Sequence, residues 1–453
     1  MVSMHRKKWR TGLGLALLLF LAGQALAGQD QQNIGFTLDQ AYETALDKNE
    51  HVAISREELR QDRSEIAIAT SNLYPQVSAV AAYNREKDMT ITADGRDLGT
   101  FGNPDEYGTL TIRLDQHIYQ FGKVWSGRKM ARYYFKSSKF RHVRRLKEIL
   151  FNVSTRYYEA LLGRRAIEIA ENALKRANRQ MAQARARFEV GVLTQTDVLR
   201  AQVQVAQSQE QLERAKNQYD IALENLALEL GVASVPGELA EPPEKNIRPA
   251  SIPVLYQKAL THRQDLSEAE NRVNAAEERV DFEQADFFPN LSIEGQYIRT
   301  EEPDMFFDED DDWQAALKLS YPLFTGWKTS AEVGKAKSQR DQAKAAISRL
   351  RKEIRNQVRS VYLDIQTQKK VIQQLEKQVK AAKRNYRQVT AQFKQGVVTA
   401  VDQVDAFTAL NEAENRLAQA YYSYQLDQIR LELAMGTFQT DLLAKELSND
   451  RAY

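Results

Sequence analysis

The stretch Arg187-Phe188-Glu189-Val190-Gly191-Val192-Leu193-Thr194-Gln195-Thr196-Asp197 returns 205 positions later as Gln392-Phe393-Lys394-Gln395-Gly396-Val397-Val398-Thr399-Ala400-Val401-Asp402. Each copy lies between two long polar segments whose apolar residues recur at heptad spacing. In each, the glycine ends one helix, and the threonine three residues on, with an aspartate three beyond it, forms the capping box that begins the next. The chain is thereby constrained to two helical hairpins in tandem.

The repeat extends well past the turns. Up to Pro75/Pro289 the two halves match at an offset of 214 (Tyr42/Tyr256 is another pair), and beyond the next loop at 205 without gaps, as in Leu114/Leu319, Tyr157/Tyr362, Tyr219/Tyr424 and Gly231/Gly436. A nine-residue difference in one loop explains both values, and chance matching of heptads would not hold one register through strand, helix, turn and helix. Helical periodicity at 37–49 and 52–72 breaks at Tyr74-Pro75. Alternation then predicts strands at about 76–85 and 108–119, separated by an exposed loop at 85–107. Nothing breaks the helical pattern from 123 to Gly191, an isolated Gly163 being tolerable within it, so one helix of about 67 residues and about 100 Å is expected. Its partner, about 195–230, carries Val198, Val205, Leu212, Tyr219 and Leu226 at heptad spacing, with small Ala201, Ser208, Ala215 and Ala222 between them.

The domain plan follows: a signal peptide at 1–27, a first repeat at 28–231 with its hairpin at 123–230, and a Pro-rich linker at 232–251. A second repeat at 252–436 has helices at about 253–262 and 265–286, strands at about 290–299 and 313–324 and a hairpin at 327–435, and a poorly ordered tail occupies 437–453. The signal rests on a basic start from His5 to Arg10, an apolar run from Leu13 to Ala22 and the Ala25-Leu26-Ala27 cleavage site; the apolar run is too short to span a bilayer. Its removal takes the formal charge from +2 to −2, which gives no footprint for nucleic acid. With no cysteine and five histidines, neither disulfides nor a metal cluster is expected. There is no phosphate loop, zinc-protease helix or nucleophile elbow, so the expectation is no enzyme and no cofactor. His262 and Asp265 read as capping and surface residues. The acidic run at 301–312 reads as a solvated loop rather than a calcium site, because it lacks the loop glycine.

Four strands with one apolar and one charged face cannot close a barrel or pack on a dry core. In a bilayer only a closed barrel leaves a sheet without an open edge, so several copies would each contribute four strands, and three or more would leave a pore. Aromatics near the strand ends, among them Tyr74, Tyr83, Tyr107, Tyr119, Phe287, Phe288, Trp313, Tyr321 and Phe324, suit interfacial girdles; the other reading makes them edge residues of a soluble sandwich.

With its duplicated helix–strand–strand–hairpin plan, its Tyr-Pro and Phe-Pro before the first strand of each half and its Gly-x-x-Thr-x-x-Asp turns, the chain resembles the TolC-like outer-membrane efflux proteins over nearly all of its mature length. The resemblance implies a mainly α fold with a small β part: a homotrimer with a 12-stranded transmembrane barrel continuous with a periplasmic α-helical barrel. It also implies a place in outer-membrane lipid and two further partners, a periplasmic adaptor and an inner-membrane transporter, in drug or metal efflux or type I protein secretion. By position, Asp402 and Asp405 match the paired aspartates of the pore constriction. Asp402 is equally a capping-box acid, Asp405 has a solvated position as its alternative, and Asp197 is a cap or a gate residue. Thr196, Asp197 and Phe393 would take closed-state contacts, although Phe393 and Val398 stand where other members have a tyrosine and an arginine. Val190, Gly191, Val192, Leu193 and Thr194, with Gln395, Gly396, Val397, Val398 and Thr399, are the candidate adaptor contacts. Two rivals stay open at this level: a coiled-coil scaffold without a pore, and the adaptor itself, which would carry one hairpin flanked by β domains instead of two.

Overall fold

The computed structural model describes residues 35–85, 90–93, 96–100, 106–244, 250–301 and 310–449. The signal at 1–27 and most of the acidic run at 301–312 lie outside them. Nine α-helices are described: α1 (Leu38–Lys48), α2 (Glu50–Ser71), α3 (Lys123–Glu189), α4 (Gln195–Leu230), α5 (Ile252–His262), α6 (Gln264–Gln284), α7 (Lys328–Lys394), α8 (Ala400–Ala434) and α9 (Thr440–Asn449). The six described strands are β1 (Gln76–Arg85), β2 (Thr90–Ala93), β3 (Arg96–Thr100), β4 (Glu106–Tyr119), β5 (Asn290–Glu301) and β6 (Asp310–Ser320). Chain contacts form two compact units, one within Met1–Asp47, Val153–Lys245 and Ala381–Tyr422, the other within Lys48–Asn152, Asn246–Lys380 and Ser423–Tyr453. Each unit draws on both sequence repeats.

The second unit holds an antiparallel sheet in the order β1-β4-β5-β6, so the two repeats meet where β4 pairs with β5. The register places Ala79, Ile112, Tyr297 and Trp313 in one row across the sheet, and Val77, Leu114, Gly295 and Ala315 in the next. Residues one position along fall on the other face, where Ser78, Arg113, Gln296 and Gln314 form a polar row. The apolar side chains remain exposed, as Val77, Leu317 and Leu319 show at 65, 68 and 69%. Strands of this length match the roughly 9–11 residues of a bilayer-spanning strand. Among the described residues no helix is long and apolar enough to cross a membrane.

The structure corrects two strand-level expectations. Residues 85–107 are not simply loop, since β2 and β3 pair there as a separate hairpin and β4 already begins at Glu106. Strands of four and five residues are too short for an alternating pattern to stand out from chance. The last strand runs from Asp310 to Ser320 rather than 313–324, because Asp311 and Asp310 pair opposite Arg299 and Thr300, while Pro322 offers no N–H to extend the ladder.

In the first unit the linker is held down, not slack. Leu239 forms a parallel bridge with Phe36, and the fully buried Tyr157 phenol lies 2.7 and 2.6 Å from the Phe36 and Ala240 carbonyls, donating its proton to one at a time. Arg164 donates to Leu239 O, and the Tyr422 hydroxyl donates to Glu241 at 2.8 Å. Gly163 lets two helices close in, since a Cβ there would sit 3.1 Å from Tyr219 Cα on α4. Of the predicted heptad stripe on α4, Leu212 and Leu226 are buried together with the small Ser208 and Ala215.

The second unit has its own core of Leu255, Leu266, Ile354, Val358, Ile365 and Leu431. Two corrections arise nearby. Of the expected loose tail at 437–453, the described residues 437–449 are ordered: α9 forms within them, and Phe438 and Leu443 are buried, while 450–453 lie outside the described residues. That short amphipathic segment finds an apolar seat which no local signal announces. Asp265, expected at the surface, is paired with Arg263 at 2.6 Å and only 17% exposed.

Lys147, also in this core, is 2% exposed and donates to Gly436 O at 2.6 Å. Burial pushes its ammonium down to about 8. Because the folded value lies below the unfolded one, the penalty is fully present below about pH 8 and stability grows as the pH climbs from there toward about 10.5. We expect the melting temperature of the detergent-solubilised protein to fall less steeply between pH 7.5 and 9.5 than that of Lys147→Met, a differential gain on the order of 1–2 kcal/mol. Parallel pH profiles for the two proteins would place the titration elsewhere.

Candidate functional site

Both hairpin turns are built alike. Gly191 and Gly396 take φ of 75° and 74°, the left-handed cap that favours glycine, with nothing within 4 Å of an added Cβ. The following valine N–H groups reach back to Arg187 O at 2.9 Å and Gln392 O at 3.0 Å. Thr194 and Asp197 then exchange capping-box bonds, Thr194 N to Asp197 Oδ2 at 3.1 Å and Asp197 N to Thr194 Oγ1 at 3.3 Å. Thr399 and Asp402 repeat the pattern at 2.8 and 3.3 Å. Hydrogen bonds from the Thr399 hydroxyl and amide hold the Asp402 carboxyl below its ordinary range, so it stays ionised in mild acid. Val190, Val192 and Val397 point out at 72, 62 and 68% exposure.

The expected site residues divide on inspection. Asp402 and Asp405 are both exposed on the first two turns of α8. Asp197 is engaged with Thr194, and Thr196 is exposed beside it; neither has a bond to Phe393 among the contacts of the described residues. Phe393 is buried, with the Arg187 guanidinium 5.7 Å from its ring centre.

Arg187 is the residue that sequence reasoning passed over. Its two terminal nitrogens donate to the Phe393 carbonyl, at 2.7 Å, and to the Lys394 carbonyl, so one hairpin's turn caps the orphan C-terminal carbonyls of the other's helix. One signal was available: at the repeat-equivalent position stands Gln392, which breaks the match. Further along, Phe407 packs on Ala173 and Ala177 with Tyr386 beside it. The Arg176 guanidinium sits 5.9 Å from the Phe407 ring centre and binds Asn411 and Glu414. These contacts join α3 of the first hairpin to α7 and α8 of the second. Elsewhere, Glu283, Asp286 and Glu332 bring carboxylates within 4.8 Å of one another, but Arg279, Lys123 and Lys328 pair with them in turn. A cation there would compete with three built-in ones.

Comparison with known proteins decides what this arrangement belongs to. The family model described as outer membrane efflux protein matches residues 41–232 and 255–437, most of the chain. The chain belongs to the outer membrane efflux protein family. Among its relatives, the alkaline protease secretion protein AprF of Pseudomonas aeruginosa is 26% identical over 439 residues, covering 93% of this chain and 88% of AprF. The outer membrane protein TolC of Escherichia coli is 24% identical over 444 residues, covering 94% and 88%. In fold, the Campylobacter jejuni CmeC outer membrane channel superposes with a TM-score of 0.77 at 17% identity, over 91% of this chain and 88% of CmeC. The Neisseria gonorrhoeae MtrE outer membrane channel, in its open state, gives 0.72 at 20% identity over 88% of each. As an outer membrane efflux protein the chain is a channel component of the outer membrane that projects into the periplasm, a conduit and not an enzyme. The scaffold and adaptor readings fall with that membership.

Proposed function

We propose that three copies of this chain close a 12-stranded barrel continuous with a helical tunnel, and that the tunnel works with a periplasmic adaptor and an inner-membrane transporter in efflux or type I secretion. The observation that carries this reading is the sheet itself. Its apolar face is exposed, and its outer strands β1 and β6 have no further partner among the described strands. An unpaired strand edge in hydrocarbon leaves backbone groups unsatisfied, at several kcal/mol each, so further copies must supply the missing neighbours. Eight strands would be filled by their own side chains; twelve leave a lumen. The exposed valines of the two turns are the adaptor contact in this reading, with Leu193, Thr194, Val398 and Thr399 alongside. The name of AprF points to secretion and the family's description to efflux, and both remain within this reading.

Heat-dependent migration of a detergent-extracted trimer tests the assembly, and a monomer at every temperature would refute it. Asp402 and Asp405 lie three residues apart on one helix face, and in a trimer six carboxylates would surround the axis and favour cations. Replacing both by alanine is expected to bring the cation-to-anion permeability ratio in planar bilayers close to that of bulk ions. An unchanged ratio would take the pair out of the pore.

A further inference from the structure

From Lys123 to Lys147, the start of α3 carries ten Lys or Arg residues and no Asp or Glu. Four of them, Lys129, Arg132, Lys136 and Lys139, recur at spacings of three and four residues and form one exposed stripe, with Trp125 at its head. Lys129 reaches Glu278 at 3.5 Å while staying 59% exposed. Lys136 and Lys139 lie over the Tyr133 and Phe135 rings of their own helix, and neither they nor Arg132 has a carboxylate partner among the described residues.

Two observations show that the stripe is not a by-product of the fold. At the repeat-equivalent positions of α7 stand Ser330, Gly334, Lys337, Asp341 and Lys344, so a helix of the same length and register forms with only two of the four basic residues and without the tryptophan. The stripe also faces away from a cavity that α3 lines with its neighbouring helices in this unit. This cavity, of about 950 Å³, is lined by α2, α3, α6 and α7 together, with Gly127, Met130, Tyr134 and Arg141 among the α3 residues that face it. At roughly 100° per residue, those four lie on the opposite side of α3 from the stripe. β4 ends at Tyr119, four residues before α3 begins, and exposed Tyr119, Phe121 and Trp125 run from the strand onto the helix.

We propose that this face of α3 rests on the anionic phospholipid headgroups of the membrane surface facing the periplasm. The inference depends on the barrel reading above. Along α3, Lys129 and Arg132 lie about 9 and 14 Å from the helix start, and Lys136 and Lys139 about 20 and 24 Å. A headgroup layer is only about 5–8 Å deep, so the first pair meets phosphates by extending upward from its aliphatic stems. The second pair lies beyond contact, close to the roughly 8 Å over which salt screens the surface. The attraction is therefore graded along the helix.

The test reconstitutes the full-chain trimer in phosphatidylcholine bilayers containing brominated phosphatidylglycerol or brominated phosphatidylcholine and reads quenching of tryptophan fluorescence, with Trp125→Phe as the background. We expect the anionic lipid to bind about fivefold more strongly. The Lys129→Gln/Arg132→Gln protein should lose that preference, while Lys136→Gln/Lys139→Gln keeps at least half of it. No preference in the unaltered protein overturns the inference, as does equal loss from both pairs, which would mean an attraction spread along the whole helix. Absence of quenching by either lipid would instead sink the barrel reading, and this inference with it.

Discussion

Gly436→Ala is expected to detach the C-terminal segment of the chain. Gly436 has a φ of 75°, and a Cβ built on it would lie 2.6 Å from His262 O, 2.7 Å from His262 C and 2.9 Å from Arg263 Cα. All three are backbone atoms at the α5–α6 junction, so no flexible side chain can yield. The left-handed conformation costs a non-glycine residue about 1–2 kcal/mol, and overpacking against backbone about 1–3 more. The same carbonyl that Lys147 reaches belongs to Gly436, and Phe438 and Leu443 are seated just beyond it. Relief by moving residue 436 would therefore leave the buried Lys147 ammonium without its acceptor and open the seat of α9. The expected result is a melting temperature lowered by several degrees, with new protease cleavage after residue 436. Gly396→Ala is the control, having nearly the same φ of 74° and open space around it. It should cost only the conformational part. Equal losses from the two substitutions would show that the approach of residues 262–263 carries no energy.

Phe407→Ala is expected to loosen the join between the hairpins and to make the channel leak. The side chain is 2% exposed, and truncating a buried phenylalanine costs about 3–5 kcal/mol. It lies between Ala173 and Ala177, which are too small to close the hole it would leave. Arg176 would also lose the ring its guanidinium covers while its Asn411 and Glu414 partners remain. Faster amide exchange over residues 170–180 and a higher single-channel conductance in planar bilayers are the measurements. Phe407→Leu should retain more than half of the lost stability. If conductance is unchanged while exchange accelerates, the contact braces the helices without restricting the pore.

Much of the plan could be read from the residues alone, for reasons visible at particular positions. The turns at Gly191 and Gly396 were legible because a left-handed cap and a capping box are decided within about six residues. The faces of β1, β4, β5 and β6 were legible because alternation reports a sheet with two different environments. The β2–β3 hairpin was not, since four and five residues are too few for alternation to report anything. Asp402 could be read either as a cap or as a constriction residue. Its bonds to Thr399 show the first role, and the second depends on copies of the chain that surround a common axis.

By itself, the sequence determined the tandem hairpins, their length and the sidedness of the strands, because helical period, caps and strand alternation act over a few residues and recur in both repeats. Only the tertiary structure decided which parts of those repeats meet. It placed Arg187 on the Phe393 and Lys394 carbonyls, Phe407 against Ala173 and Ala177, Lys147 beneath Gly436, and α9 in an apolar seat. The physical reason is that two halves written in nearly the same pattern offer each other many equivalent surfaces. Packing over separations of some 200 to 300 residues selects one of these surfaces, and no local propensity encodes that choice.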